Sequence, residues 1–407
     1  MKSKALFVFG FLVFALILGA KQGAVSRRSD QLTDLCLRVH DQLFFQSEKT
    51  NQWRSECLNQ VPAWARLDAE SLVSEIQKMF FQLGVSHLDV YPKKQENFIF
   101  EGIAKKNGLK VRWIETGYFV VDVLPSSPAE DVGMRKGDRI LHLGEDSGLS
   151  VSAIESYQGR MKVRRGGNEI EVDVGVEAIS DDVPLQVQPI CRGAGYLRVS
   201  SFRAGLFELK SFDPVVKDLL KYKEVVVDLR DNRGGNLVAM TRLMSALTCR
   251  TDDLGAFRKT YKKGDPKYLP NDLSSESQLE VLEASQMLVM KRYSDIPCRE
   301  GLKVVLLVNE YTASAAEILA ASLGFTGATV AGSPTSGEVV LAVYYSLDEL
   351  IPGLLEGYGI SLPEFVYVDP EGRSYEGDGL DPVLRLSDDE DLAKRGIDSW
   401  IQAYCRG

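Results

Sequence analysis

The chain has 407 residues, of which 44% are hydrophobic and 26% are charged, and its formal net charge at pH 7 is −9. This length is sufficient for two or three domains, and the composition is typical of a globular protein. Because the net charge is negative and Lys and Arg are scattered along the chain, the sequence argues against a nucleic-acid-binding protein.

Residues 1–25 have the pattern of a secretory signal peptide. Two lysines precede an apolar run from Ala5 to Ala20, which is the order of charge and hydrophobicity that directs export. A signal peptidase prefers a small residue three positions before the cleavage point, and this chain has Leu18 or Gln22 there. An uncleaved N-terminal anchor is therefore the alternative. We expect a periplasmic or extracellular protein that touches a membrane only through such an anchor.

The chain contains six cysteines: Cys36, Cys57, Cys191, Cys249, Cys298 and Cys405. In an exported chain an even number of cysteines indicates disulfide bonds, and the lack of a C-x-x-C spacing argues against a metal site. Of the 15 pairings that six cysteines allow, we favour Cys36 with Cys57, Cys249 with Cys298, and Cys191 with Cys405. We expect neither a metal nor a cofactor.

Residues 26–100 are expected to form a small helical domain that ends in a histidine-bearing loop. Between Ser29 and about Leu83, apolar residues recur at helical spacing, and Pro62 is expected to break the helices. The loop that follows contains Ser86 and His87.

Residues 101–180 resemble a PDZ domain. The run from Ser126 to Ile140 fits the S-P-A-x-x-A-G-L-x-x-G-D-x-I signature of bacterial PDZ modules, and Gly108-Leu109-Lys110-Val111 fits their carboxylate-binding loop. The resemblance implies that the domain adds extended peptide C-termini to its sheet edge, with successive backbone N–H groups of Gly108, Leu109, Lys110 and Val111 directed at the peptide carboxylate.

Residues 181–407 indicate an α/β domain. Two continuous apolar runs, Val225–Val227 and Val304–Val308, are typical of strands buried on both faces. After the second run the chain continues in small residues, and a helix is predicted to begin near Ser314. Ser314 is either an exposed nucleophile or a simple helix cap. Strands and helices alternate here, which predicts helices packed on a largely parallel sheet.

A polar insertion lies between Cys249 and Cys298. Its apolar positions from Ser277 to Arg292 predict one helix of about 17 residues. This helix is either a lid over a cleft or a peripheral structural element.

Three motifs in order resemble the core of the tail-specific (C-terminal processing) serine peptidases and their tricorn-type relatives: Asp228–Gly235, Ala313–Ile318 and Gly332–Gly337. The resemblance implies an α/β peptidase core, a mixed sheet flanked by helices in a crotonase-like spiral, with an inserted PDZ β-domain and an N-terminal helical domain. It also implies that the nucleophile is Ser314 and that the oxyanion hole uses the backbone amides of Ala315 and of either Gly234 or Gly235. The expected partners are protein or peptide substrates with free C-termini.

The base that would activate the serine is not at the position used by most of this family. Those peptidases carry a lysine just after the G-x-P-T-x-G loop and a glutamine four residues later, where this chain has Glu338 and Ala342. A serine hydroxyl needs a positioned base to become a nucleophile. Glu338 itself would be a weak base unless burial raised its pKa.

The tricorn-type branch offers another base because it uses a Ser-His-Ser-Glu tetrad. By that resemblance His87 is the general base, and Ser86 and Glu376 orient its imidazole. The competing interpretation is a degenerate peptidase that retains the fold and only binds peptide C-termini. We favour an active serine-type endopeptidase over this alternative.

Overall fold

The computed structural model describes the backbone of residues 2–95, 103–144, 148–180, 182–252, 254–259 and 265–407; the side chains of residues 2–21, Gln95 and Ser275 lie outside the description. Most of the predicted signal peptide, residues 1–25, therefore lies outside the residues whose side chains are described. In the part of the chain that is described, none of the helices has both the length and the apolar character needed to cross a membrane.

Three helices form the N-terminal domain: α1 (Lys2–Gln42), α2 (Glu48–Trp64) and α3 (Ala69–Leu83). Helix α2 begins with a capping box between Ser47 and Thr50, and α3 ends at Gly84, whose φ is +62°. A core of leucines, aromatic residues and the Cys36–Cys57 disulfide joins α1 to α2. The strand β1 (Asp89–Pro92) follows.

The predicted helix break at Pro62 is wrong. Pro62 lies inside α2, which continues to Trp64. Trp53, Cys57, Val61 and Trp64 are all buried on one side of this helix. Their packing outweighs the single hydrogen bond that proline removes close to the helix end.

Residues 103–180 form a separate unit, which we call the β module. Its strands are β2 (Ile103–Lys106), β3 (Leu109–Ile114), β4 (Gly117–Val123), β5 (Arg139–Leu143), β6 (Gly159–Arg165), β7 (Asn168–Val174) and β8 (Glu177–Ser180), and its helices are α4 (Pro128–Asp131) and α5 (Val151–Glu155). Strands β3 to β7 pair antiparallel in chain order, and β2 pairs with β8. Alternate residues of these strands and Ile154 of α5 form the module's own core.

A six-stranded sheet forms the centre of the molecule. In spatial order its strands are β19 (Leu384–Arg385), β16 (Thr329–Gly332), β15 (Lys303–Val308), β11 (Glu224–Asp228), β10 (Gly195–Arg198) and β9 (Val187–Pro189). All neighbours are parallel except β9 and β10, which confirms the predicted largely parallel sheet. The helices of this region are α6 (Leu209–Leu219), α7 (Leu237–Leu247) and α9 (Ala315–Phe325), followed near the C-terminus by α11 (Glu390–Lys394) and α12 (Ser399–Arg406).

A second six-stranded sheet was not predicted. It contains β1, β12 (Ala256–Arg258), β13 (Pro266–Lys267), β14 (Met287–Val289), β17 (Val340–Ser346) and β18 (Tyr358–Val368), with α8 (Ser275–Glu283) and α10 (Leu347–Leu350) nearby in the chain. Strand β18 pairs with β1 and β12 and, along most of its length, with β17. These strands come from distant parts of the sequence, and such pairing is not encoded in local periodicity.

The single helix predicted from Ser277 to Arg292 is also wrong. Helix α8 ends at Glu283, and Met287–Val289 forms a strand between β12 and β13. Leu288 is buried there, so sheet pairing and burial together outweigh the helical spacing of the apolar residues.

All three predicted disulfide bonds are confirmed. Cys36 bonds to Cys57, Cys191 to Cys405, and Cys249 to Cys298. The second bond ties α12 to the turn before β10, and the third closes the base of the insertion.

Candidate active site

The site is built where two parallel strands of the central sheet end side by side. Strands β11 and β15 are neighbours, with Asp228 opposite Leu307. The loops that follow are hydrogen-bonded to each other, because the N–H of Asp231 donates to Asn309 Oδ1 at 2.9 Å and the N–H of Ala313 donates to the carbonyl of Asn232 at 2.9 Å. This places the Gly234–Gly235 turn beside Ser314.

Ser314 stands at the start of α9 in an uncommon backbone conformation. Its φ is +55° and its ψ is −128°, and a positive φ in a residue other than glycine is unfavourable unless the surroundings impose it. A Cβ on Gly234 would lie 3.0 Å from Ser314 Oγ. Only glycine therefore fits at position 234, and the serine side chain is held at the strand-to-helix turn.

The buried carboxylate of Glu317 holds the serine backbone in this conformation. It accepts hydrogen bonds from the N–H groups of Ser314 at 3.1 Å, Gly337 at 2.7 Å and Glu338 at 2.8 Å, and from the hydroxyl of Thr335. Burial raises the pKa of the Glu317 carboxyl despite these four donors. The motif resemblance assigns no role to Glu317, although a Glu three residues after a Ser is the capping-box spacing.

Two backbone N–H groups near Ser314 are available to a ligand. The N–H of Gly234 already donates to Asn232 Oδ1 at 2.8 Å. By contrast, the N–H groups of Gly235 and Ala315 have no acceptor among the residues that the structure describes. The sequence allows either Gly234 or Gly235 to supply the second oxyanion-hole N–H. Of the two, it is the N–H of Gly235 that has no acceptor among the described residues.

The loop bearing His87 reaches the same region. Ser86 donates to Glu376 through its N–H at 2.9 Å and through its hydroxyl at 3.2 Å, and the N–H of Val339 also donates to Glu376 at 2.9 Å. Ser86 and Glu376 are thus brought together across 290 positions of sequence. The carbonyl of His87 accepts a hydrogen bond from the Ser361 hydroxyl at 2.6 Å.

The imidazole of His87 has a buried Nε2 without a hydrogen-bond partner within the described ranges. Among the described residues no hydrogen bond joins Glu376 to this imidazole, and the Glu376 carboxylate bonds to Ser86 and Val339. His87 and Ser314 line one cleft.

Glu338 occupies the position of the missing lysine and lies next to the serine backbone. Its N–H and that of Ser314 donate to the same Glu317 oxygen, Oε2. Its own carboxylate accepts from the Ser336 hydroxyl at 2.6 Å and lines the cleft. Ala342 lines the cleft from β17 and offers no polar group.

The cleft has a volume of about 1270 Å³ and extends from Ser314 to the β module. Its walls come from the His87 loop, the Gly234 loop, β17, α8 and β3. From the insertion, Gln278, Leu279 and Leu282 line it. The helix that the sequence left open as a lid or a peripheral element therefore lies at the cleft wall.

The predicted carboxylate-binding loop is only partly as expected. The N–H of Leu109 donates to Asn107 Oδ1 at 3.0 Å, and the N–H of Val111 donates to Glu155 Oε1 at 3.3 Å. Gly108 and Leu109 are buried and do not line the cleft, whereas Lys110 and Val111 do. Neighbouring side chains of the module thus already accept two of the successive N–H groups that the sequence directs at a peptide carboxylate.

A buried ion-pair network supports the end of β11. Arg230 donates to both oxygens of Asp228 at 2.8 and 2.6 Å and to both oxygens of Asp398 at 3.1 and 2.6 Å. Burial by itself would raise the pKa of the Asp228 carboxyl, but the adjacent Arg230 guanidinium holds that pKa well below its usual range. From the β module, Arg112 pairs with Asp231 at 3.1 Å. The loop leading to Gly235 is therefore anchored from both sides.

Comparisons with known proteins agree with this architecture. The sequence model of peptidase family S41 matches residues 193–385. The photosystem II D1 C-terminal processing protease has a similar structure, with 18% identity, a TM-score of 0.54, and coverage of 92% of this chain and 96% of that chain. Mature CPAF is similar at 12% identity and a TM-score of 0.55, covering 94% of this chain and 97% of that one. No curated protein sequence matches the chain.

Proposed function

Because the chain carries a peptidase family S41 domain over residues 193–385, we propose that it is a serine endopeptidase whose nucleophile is Ser314. One observation carries this proposal. Ser314, whose φ is positive, lies against Gly234 in the wall of a cleft, and the nearby N–H groups of Gly235 and Ala315 have no acceptor among the described residues. A helix cap alone would need neither the cleft nor the glycine contact.

In the proposed reaction, Ser314 Oγ attacks the carbonyl carbon of a peptide bond in the cleft. The negative charge that develops on the carbonyl oxygen is stabilised by the N–H groups of Gly235 and Ala315, and removal of one such donor typically costs about 10²–10³ in kcat. The proton of the serine passes to the base and then to the leaving amine. Water then attacks the acyl-enzyme. The base accepts a proton from this water and returns it to Ser314 Oγ as the acyl group leaves.

His87 is the proposed base. His87 lines the cleft, and its buried Nε2 has no hydrogen-bond partner among the described residues, so this nitrogen is not committed to another described group. A hydrogen bond between this imidazole and Ser314 in the substrate complex is required for this role, and catalytic contacts are often long in a free enzyme. Ser86 and Glu376 act indirectly, by holding the loop in place.

The proposal extends to the other domains and to location. The β module is taken as a PDZ domain that presents protein C-terminal tails to the cleft, and the two sheets are taken as the crotonase-like spiral of the family. Three disulfide bonds and the apolar N-terminal run support export to the periplasm or the extracellular space. The tail-binding role is supported by the continuity of the cleft from Lys110 to Ser314.

A second candidate is a peptidase fold that only binds peptides. Glu338 and Ala342 at the positions of the family's lysine and glutamine favour this alternative. The buried Glu317 network and the uncommitted amides favour activity, because a binding protein would have no use for a strained serine.

Covalent labelling with a fluorophosphonate tests the two candidates. We expect the wild-type protein to be labelled and to cleave unfolded proteins, and Ser314→Ala to do neither while retaining its thermal unfolding temperature. Ser333→Ala is the matched control, since Ser333 is an exposed-loop serine that hydrogen-bonds Glu310 and should keep both activities. An intact wild-type protein that is neither labelled nor proteolytic would support the binding-only candidate.

A further inference from the structure

A cationic side chain stands beside the proposed oxyanion hole. Arg233 directly precedes the Gly234–Gly235 turn, is exposed, and lines the cleft that contains Ser314. Its guanidinium lies over the ring of Tyr311, with its central carbon 5.7 Å from the ring centroid. Tyr311 lines the same cleft. An arginine and an aromatic ring are therefore placed next to the proposed nucleophile.

The acidic side chains that neighbour Arg233 in its own loop and in the serine loop bond to other groups. Asp231 pairs with Arg112 at 3.1 Å and accepts a hydrogen bond from the side-chain amide of Asn309 at 2.8 Å. Glu310 accepts a hydrogen bond from a serine hydroxyl at 2.9 Å. Within the described part of the chain, no carboxylate forms an ion pair with Arg233. Its guanidinium is thus an unpaired positive charge in the wall of the cleft.

We propose that Arg233 is a specificity residue that binds an acidic side chain, Asp or Glu, of the substrate close to the bond that Ser314 attacks. This inference rests on the proposed function, because it names the substrate class of the same cleft. The ligand follows from the chemistry of the side chain. A guanidinium presents N–H donors in a fork that matches a carboxylate, and stacking on an aromatic face leaves its donor edges open.

The charge of the cleft supports an acidic ligand. Among the described residues that line it, seven are Lys or Arg and four are Asp or Glu, although the whole chain has a formal net charge of −9. A cleft with a positive lining attracts acidic segments and repels basic ones. The field of the cleft thus favours the same class of segment that Arg233 is suited to bind.

The loop that carries Arg233 is fixed against the loop that carries Ser314. A Cβ on Gly234, the next residue, would lie 3.0 Å from Ser314 Oγ. On the other side of Arg233, the carbonyl of Asn232 accepts the N–H of Ala313 at 2.9 Å. Both neighbours of Arg233 thus contact the serine loop, so a substrate residue held by the guanidinium lies within a few positions of the cleaved bond.

The experiment measures fluorescence anisotropy with N-terminally labelled peptides of Ser, Gly and Val that carry one central Glu, Gln or Lys and an amidated C-terminus. A fourth peptide, the Gln peptide as the free acid, shows whether a chain terminus is bound instead of a side chain. All proteins carry Ser314→Ala, so that the peptides stay intact. Arg233→Gln removes the positive charge and Arg233→Glu reverses it. Arg250→Gln is the matched control, since Arg250 is exposed and is not among the residues that line the cleft.

In the parent and in Arg250→Gln, we expect the Glu peptide to bind about fivefold more tightly than the Gln peptide, the upper end of what an exposed ion pair contributes. Arg233→Gln should bind both peptides equally, and Arg233→Glu should prefer the Lys peptide. A preference for Glu that survives in Arg233→Gln, or an Arg233-dependent gain for the free acid alone, would overturn the inference. If Arg233→Glu does not fold, the comparison of Arg233→Gln with Arg250→Gln decides.

The inference and the peptidase proposal can fail separately. With Ser314 intact, kcat/KM should also be about fivefold higher for the Glu peptide than for the Gln peptide, with the difference in KM, because the contact is made equally in the bound substrate and in the transition state. A Glu preference in binding together with a catalytically silent Ser314 protein would refute only the peptidase proposal. Cleavage of both peptides with equal kcat/KM would refute only the role of Arg233.

Discussion

A Cβ placed on Gly234 would lie 2.7 Å from the Cβ of Ser314 and 2.8 Å from the backbone nitrogen of Ala315. The glycine and the serine are thus in contact with no space for a methyl group. Gly234 also has a φ of +91°, which other residues adopt only with strain. Steric fit and backbone conformation both require glycine at this position.

Gly234→Ala should therefore abolish the proposed peptidase activity. The added methyl group would displace Ser314 and the Ala315 N–H, and loss of one oxyanion donor lowers kcat by about 10²–10³. The rate of fluorophosphonate labelling and kcat for an unfolded protein measure the effect. Gly205→Ala is the control because nothing lies within 4 Å of its Cβ position. Similar kinetics in the two variants would contradict the contact as a determinant of activity.

His87→Ala should lower kcat by about 10²–10⁴, because it removes general-base catalysis. Binding of a peptide tail and the thermal unfolding temperature should stay close to wild type, since the buried Nε2 of the imidazole has no hydrogen bond to lose within the described part of the chain. His142→Ala, on a strand of the β module, serves as the control. Steady-state kinetics and anisotropy separate the effects on kcat and on binding.

Glu338→Gln should retain most of the activity if His87 is the base. The amide keeps an acceptor for the Ser336 hydroxyl, which now bonds to Glu338 Oε1 at 2.6 Å. Measured kcat/KM within about threefold of wild type is the expected result. If Glu338→Gln loses its kcat/KM while His87→Ala cleaves normally, the base is Glu338.

Glu317→Gln should reduce both stability and activity. All four partners of this carboxylate are donors, and an amide would direct its NH₂ group at some of them. A buried group left without a partner costs about 1–3 kcal/mol, and the serine would lose the contact that holds its φ of +55°. Urea denaturation and labelling rates measure the two effects. Normal labelling in a destabilised variant would limit Glu317 to a structural role.

Arg230→Met should destabilise the protein by about 3–5 kcal/mol at neutral pH, because the buried Asp228 carboxylate loses its ion-pair partner and keeps only the hydrogen bond from the Tyr196 hydroxyl among its side-chain bonds. In the wild type the pKa of Asp228 is lowered, so its contribution to stability is present above the unfolded-state pKa of about 3.9 and is lost as the pH falls below it. In the variant the guanidinium no longer lowers that pKa, so the stability that the wild type gains above this pH is reduced.

The difference in unfolding free energy between wild type and Arg230→Met should consequently be larger near pH 7 than near pH 3. Thermal or urea unfolding across this range measures it. Arg164→Met is the control, because its ion pair with Glu169 is exposed and should contribute less than about 1 kcal/mol. A difference that does not change with pH would show that Asp228 is not the titrating group.

Local patterns in the sequence were sufficient for much of the fold. The apolar runs before Asp228 and Asn309 predict the two central strands, and the even cysteine count together with the apolar N-terminal run predicts disulfide bonds. The motif around Ser314 identifies the candidate nucleophile because a strand, a turn and a helix start are contiguous in the chain. Such features depend on neighbouring residues, so periodicity and motif spacing reveal them.

Tertiary structure decided the contacts between elements that are distant in sequence. The bond of Ser86 to Glu376, the choice of Gly235 over Gly234 as an uncommitted donor, and the carboxylate of Glu155 against Val111 all depend on how strand ends and loops pack. The strand at Met287–Val289 likewise forms because β12 lies beside it. Hydrogen-bond partners are set by distance in space, and the local spacing of residue types does not contain that distance.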